Sequence, residues 1–201
     1  MKRVFLTGFC SIVLLSACQR SESTATTETA ATIATDTSGS MATATSPTPT
    51  AAPYDLQFID SLTKHHQMAI DMAKMGAPKF EHQPLKDAAK MMVDDQTKEI
   101  AQLRQWRDQW YPGAAPAENM QLPGMSSISM DMSHMQSMSG HALDMMFIDM
   151  MIPHHEGGLA MGQDALAKAE HPELKELAQK MIDKQKNEIN QMQQWKKAWA
   201  K

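Results

Sequence analysis

The chain has 201 residues, with 19 lysines and arginines against 23 acids and a formal net charge of −4. That sign argues against a nucleic-acid partner, which selects a basic face, and two cysteines are too few for a disulfide framework. Methionine is the outlier, with 20 copies.

The first residues, MKRVFLTGFCSIVLLSAC, pair two positive charges with a short apolar run and small residues before a cysteine. This is the pattern of a secretory signal, expected to cover 1–17. Leu15-Ser16-Ala17-Cys18 resembles a bacterial lipobox, which implies cleavage before Cys18 and lipidation of its sulfur; an ordinary signal peptide is the alternative. Cys10 would leave with the signal, so a lipidated Cys18 leaves no free thiol. Gln19 directly after Cys18 resembles lipoproteins sorted to an outer membrane, where the organism has one. The expected location is the cell envelope, as a periplasm-facing lipoprotein. Residues 18–53 are almost all Ser, Thr, Ala and Pro, too poor in apolar surface to offset the entropy of ordering, and read as a flexible tether. One domain is expected over 54–200.

That domain matches itself at a shift of 89 positions. FIDSLTKHHQMAIDM, Phe58 to Met72, lies over FIDMMIPHHEGGLAM, Phe147 to Met161, and 21 of 53 aligned positions are identical without a gap. The reading is a duplicated unit, with halves 54–113 and 142–200 joined by a methionine-rich loop over 114–141. Each half reads as two helices. The first runs from Tyr54 to Met75 and stops at Gly76 and Pro78, and the second runs from about Pro84 to Trp110 before Pro112-Gly113. In the second half one helix covers Ala142 to Ala169, and the next opens at His171-Pro172-Glu173, where proline and an acid suit a first turn. Four such helices predict an all-α, up-down four-helix bundle made of two helical hairpins.

At 100° per residue, Phe58, Leu62, Ala69 and Ala73 form the buried stripe of the first helix, with His65 and His66 on its two shoulders. Asp60, Lys64, Gln67, Asp71 and Lys74 face water. Phe147, Met151, Gly158 and Gly162 repeat the stripe around His154 and His155. Met72 and Met161 each follow a histidine by seven residues on the same face, and Met68, Met150 and Met151 join the two groups. Gly158 and Gly162 are expected to admit a neighbouring helix, and Pro153 to kink its own. On the partner helices Ala89, Met92, Gln96, Ile100 and Leu103 form one stripe, repeated by Ala178, Met181, Gln185, Ile189 and Met192. A buried amide at Gln96 or Gln185 needs a partner, and the inward histidines, with Glu99 and Glu188 nearby, supply one as an outer shell that fixes their tautomer.

Two readings of the four histidines stand side by side: structural groups bonded across the core, or metal ligands with thioethers beside them. His82 and His171, heading their helices, read as capping or surface groups, and the tryptophans as closure of the bundle ends. In the loop, Met120, Met125, Met130, Met132, Met135 and Met138 are too many for packing, since a loop has no core to fill. Thioethers suit Cu(I) and resist oxidation to disulfides, and His134 and His141 add imidazole that also suits Cu(II). An oxidant sink or an adaptable binding surface are the alternatives.

The run FIDMMIPHHEGGLAM, followed by AEHPELKELAQKMIDKQKNEINQMQQW, resembles the signature of the domain of unknown function family 305, over about Tyr54 to Trp199. The resemblance implies a ferritin-like bundle, usually exported, in a family that includes methionine-rich periplasmic proteins that bind copper and aid copper tolerance. Carried over by position, it implies His154, His155 and Met161 as ligands, with His65, His66 and Met72 in the first copy. There Lys64 replaces the proline and Leu103 a methionine, so equal function of the halves does not follow. The leading expectation is a lipid-anchored protein that binds copper, mainly Cu(I) and secondarily Cu(II). It would sequester the metal or pass it to a copper-handling partner, with no catalytic residues. A dinuclear-iron enzyme is disfavoured because the domain has no Glu-x-x-His. A structural or partner-binding helical lipoprotein without metal is the remaining alternative.

Overall fold

The computed structural model describes residues 51–200, so the signal, Cys18 and nearly all of the tether lie outside the described residues. The described chain is all-helical: α1 (Tyr54–Gly76), α2 (Gln83–Trp110), a short α3 (Ser133–Ser137), α4 (Gly140–Lys168) and α5 (Pro172–Trp199). Short 3-10 turns occupy Ala77–Lys79 and Met125–Ile128. No described helix is long and apolar enough to cross a membrane.

The helices end where the sequence changes character. The last residue of α1, Gly76, has no side chain because the Phe80 ring lies where one would go. Pro84 and Pro172 sit in the first turns of α2 and α5, where a missing N–H costs nothing. α4 runs unbroken through the exposed Pro153.

α1 packs on α2, α4 packs on α5, and the two hairpins join through α1 and α4. The core divides into two apolar clusters. One contains Ala73 from the end of α1, Leu85 from the start of α2, Phe147 from the start of α4 and Met192 from the end of α5. The other contains Phe58, Leu103, Ala165 and Leu174, from the opposite ends of the same helices. Side chains such as Phe58, Phe147, Leu85 and Leu103 are essentially inaccessible, each stabilising the fold by about 1.5–3 kcal/mol.

This membership makes α1 antiparallel to both α2 and α4, so α2 and α4 run in the same direction. The 114–141 segment therefore travels the length of the bundle, which is the single-crossover order of ferritin-like folds rather than the simple up-down order expected from connection lengths. The path is fixed by bonds. Asn119 donates its backbone N–H to Ser61 Oγ (2.9 Å) and its amide to Gln57 Oε1 (2.6 Å) near the start of α1. Lys79 reaches the Met135 carbonyl (2.8 Å) at the other end.

The crossover corrects a second expectation. Met125 and Met135 are fully buried, one in each cluster, and Met130, Met132 and Met138 pack half-buried against the first. These thioethers do fill core, because the segment lies in a groove instead of hanging in solvent; only Met120 stands out, 45% exposed. Asp60 was placed on the water face, but it is ion-paired to Arg107 (Nε to Oδ1 2.6 Å) and accepts the Ala117 N–H (2.9 Å), tying α2 and the crossover to α1.

Candidate metal centre

Between the two apolar clusters lies a polar layer. The shoulder positions of His65 and His66 on α1, and of His154 and His155 on α4, bring all four rings inside at 0% exposure. His65 and His154 meet across the α1–α4 contact with ring centroids 3.9 Å apart, and each neighbours the next histidine of its own helix at about 6 Å (6.2 and 6.0 Å).

Three of the four Nε2 atoms have a hydrogen-bond partner. His155 Nε2 is 2.8 Å from Glu188 Oε2 on α5, and His66 Nε2 is at the same distance from Glu99 Oε2 on α2, though only the first is aligned as a hydrogen bond. His154 Nε2 lies 3.1 Å from the His65 carbonyl oxygen. His65 Nε2 lies 3.2 Å from Ser127 Oγ, whose own hydroxyl proton goes to the Gly124 carbonyl (2.7 Å). A carboxylate and a carbonyl only accept, and the serine has already donated, so the Nε2 atoms of His65, His154 and His155 carry the proton.

In the neutral rings of His65 and His154 the lone pair is therefore on Nδ1. All four Nδ1 atoms are buried with no hydrogen-bond partner among the described residues, as are His66 Nε2 and the side-chain oxygens of Gln96 and Gln185. The central rings are neutral: burial first, and neighbouring imidazoles second, hold His154 down to about 3 and push His65 well below 6.5. Four buried imidazoles with unbonded Nδ1 atoms, two of them beside carboxylates, are chemically suited to a metal ion.

Glu99 and Glu188 meet imidazoles, whereas Gln96 and Gln185 are buried beside the layer without bonding a ring. Gln185 explains Gly158, because a methyl group there would collide with its amide, and Gly162 similarly makes room for Ile182. The carboxylates were legible from their place on the α2 and α5 shoulders; the Ser127 contact carried no signal in the sequence.

The expected methionines belong to the apolar clusters on either side of the layer. Met72 and Met151 are buried in the first cluster and Met161 in the second, while Met68 and Met150 are half-buried against them. Met130, Met132, Met135 and Met138 belong to the crossover packing and His134 is exposed. Among the described residues no three His, Cys, Asp or Glu side chains converge on one metal position as placed.

The bundle ends hold a motif that the sequence reading passed over. Asp55, at 2% exposure, accepts the backbone N–H of Glu170 (3.0 Å) and His171 (2.9 Å), and lies 2.6 Å from His171 Nδ1. Asp144, at 0%, does the same for Glu81 (3.0 Å), His82 (2.9 Å) and His82 Nδ1 (2.7 Å). Trp110 stacks on His171 and Trp199 on His82, at 3.8 and 3.9 Å. Each hairpin thus caps the other's second helix, through residues 89 apart.

Comparison with known proteins places these features. The chain matches the family described as Domain of unknown function (DUF305) over residues 13–107 and 55–196. It is similar to CopM in the Cu(II)-bound form, at 37% identity over 72% of this chain and 97% of that one, with a TM-score of 0.63. For CopM in the Cu(I)-bound form the values are 36%, 72%, 96% and 0.62. A DUF305 fragment from Deinococcus radiodurans shares the fold at 21% identity, over 73% of this chain and 97% of that one, with a TM-score of 0.56. Comparison with curated proteins gives no match.

Proposed function

The chain belongs to the family described as Domain of unknown function (DUF305), and from that footing we propose that it is a copper-binding protein of the cell envelope, anchored by lipid at Cys18. It holds Cu(I), and secondarily Cu(II), for sequestration or transfer, without catalysing a reaction. The observation that carries this reading is the set of four buried Nδ1 atoms with no hydrogen-bond partner among the described residues. Leaving a polar atom buried and unbonded costs about 1–3 kcal/mol. A chain that does so four times in one layer gains that back when an ion arrives.

The likeness to CopM, solved with Cu(I) and Cu(II), supports copper as that ion. In this reading His65, His66, His154 and His155 are the donors, and Glu99 and Glu188 hold two of the rings in the metal-binding tautomer. Half-buried thioethers such as Met68 supply softer donors if the helices shift. A copper-handling partner protein would receive the cargo.

The second reading is a structural helical lipoprotein whose histidines only join the helices, favoured by the lack of three convergent ligands in the described structure. Cu(I) loading of the purified protein against a competing chelator separates the two. Retention in the wild type, abolished when the four histidines become glutamine in a still-helical protein, supports copper binding. A wild type that retains none, or a quadruple variant that retains as much, leaves the structural reading.

A further inference from the structure

We propose that His82 and His141 form a second, separate cation site at one end of the bundle, suited to a borderline divalent ion such as Zn(II) or Cu(II). The argument starts from Asp144. Its carboxylate is fully buried and accepts the backbone N–H groups of Glu81 and His82, so it has no proton to offer. The 2.7 Å contact to His82 Nδ1 therefore runs from ring to carboxylate, and the lone pair of His82 is on Nε2. The Trp199 ring, parallel within 11° at 3.9 Å, prevents the imidazole from turning over. The His82 side chain is 27% exposed, so the ring lies at the surface of the bundle end.

His141 completes the pair. It stands in the first turn of α4, exposed, and neither of its ring nitrogens has a hydrogen bond among the described residues. Its backbone N–H is fixed by Glu81 Oε2 at 2.9 Å. The His82 and His141 ring centroids are 5.9 Å apart, inclined at 63°. With metal–nitrogen bonds of about 2 Å, two imidazoles on one ion place their centroids roughly 5–6 Å apart. The observed spacing needs only a turn of the exposed His141 ring.

Asp144 behind His82 is the carboxylate–histidine arrangement that raises ligand basicity, and Asp144 with Glu81 offsets the positive ends of α2 and α4. Two imidazoles with water in the remaining positions favour a borderline divalent ion over Cu(I).

The opposite end is a built-in control. His171 has the same buried carboxylate in Asp55 and the same stacked indole in Trp110, but its further aromatic neighbour is Tyr111, at 6.3 Å, instead of a second histidine. The orienting machinery is present twice and the imidazole pair once, so one end binds and the other does not.

Zn(II) titration of the protein, followed by imidazole nitrogen resonances, tests this. The expected result is that the Nε2 signal of His82 and a ring signal of His141 move together with one apparent affinity, while His171 stays in place. In His141→Ala, which removes a side chain without hydrogen bonds, the His82 shift is lost at the same Zn(II) concentration. A His82 signal that does not move, that moves equally in His141→Ala, or that moves in step with His171 overturns the proposal. The four central histidines are unaltered throughout, so failure of Cu(I) retention there would not produce any of these results.

Discussion

Gly124→Ala tests how firmly the crossover is seated over the histidine layer. Gly124 has φ +86°, and a methyl group on it would run into the Gly157 carbonyl oxygen and stand 2.7 Å from its carbon and 3.0 Å from its Cα. That backbone belongs to α4 and cannot step aside. Gly113 is the matched control: its φ is +72°, yet nothing lies within 4 Å of the added carbon. Both substitutions incur the left-handed penalty of about 1–2 kcal/mol, partly offset by a stiffer unfolded chain. Only Gly124→Ala adds overpacking, at about 1–3 kcal/mol. The difference between the variants is therefore about 2 kcal/mol, which for a domain of this size is about 4–8 °C in melting temperature. Denaturant and thermal unfolding followed by circular dichroism measure it. If the two variants lose equal stability, the crossover does not rest on α4, and the Ser127–His65 contact that depends on that seating falls with it.

Other perturbations give equally definite outcomes. Met125→Ala and Met135→Ala, at fully buried positions, each destabilise by about 2–5 kcal/mol, whereas exposed Met120→Ala changes stability by less than about 0.5 kcal/mol; equal, small effects would return these methionines to solvent. Asp144→Ala strands two backbone N–H groups and an imidazole N–H and costs about 2–4 kcal/mol, and Asp55→Ala costs the same at the other end, both read by denaturant titration. For pH, His65 and His154 stay neutral in the fold well below 6.5, His154 to about 3, while the unfolded chain takes up protons near 6.5. Stability of the metal-free protein is thus complete above 6.5 and falls on acidification, each ring adding up to about 1.4 kcal/mol per pH unit. His65→Gln with His154→Gln flattens that slope between about 6.5 and 3, and an unchanged slope would mean that the rings are not held neutral.

What could be read in advance was what obeys a helical period. Phe58, Leu62 and the four histidines fall where a 100° step puts them, and Gln96 and Gln185 lie mid-stripe and buried. The crossover has no period, so its direction, the burial of Met125 and Met135 and the Ser127 contact were all invisible. Asp55 and Asp144 were hidden differently: Asp55, an acid in a first turn, already has a local explanation in the helix dipole, and nothing in the sequence says that the acceptors of either are used by a helix more than 60 residues away. Asp60 reads as solvent-facing by angle alone because the wheel knows only its own helix, not Arg107 on the next.

The exchange of caps between the hairpins bears on how the molecule comes apart. Neither helical pair can finish its own second helix, since the acceptor that does so is carried by the other. Melting one pair strips the start of the other's α2 or α5, so the two are expected to be lost in a single step. A protease cut in the crossover would then yield fragments that stay associated, each still holding the other's missing piece.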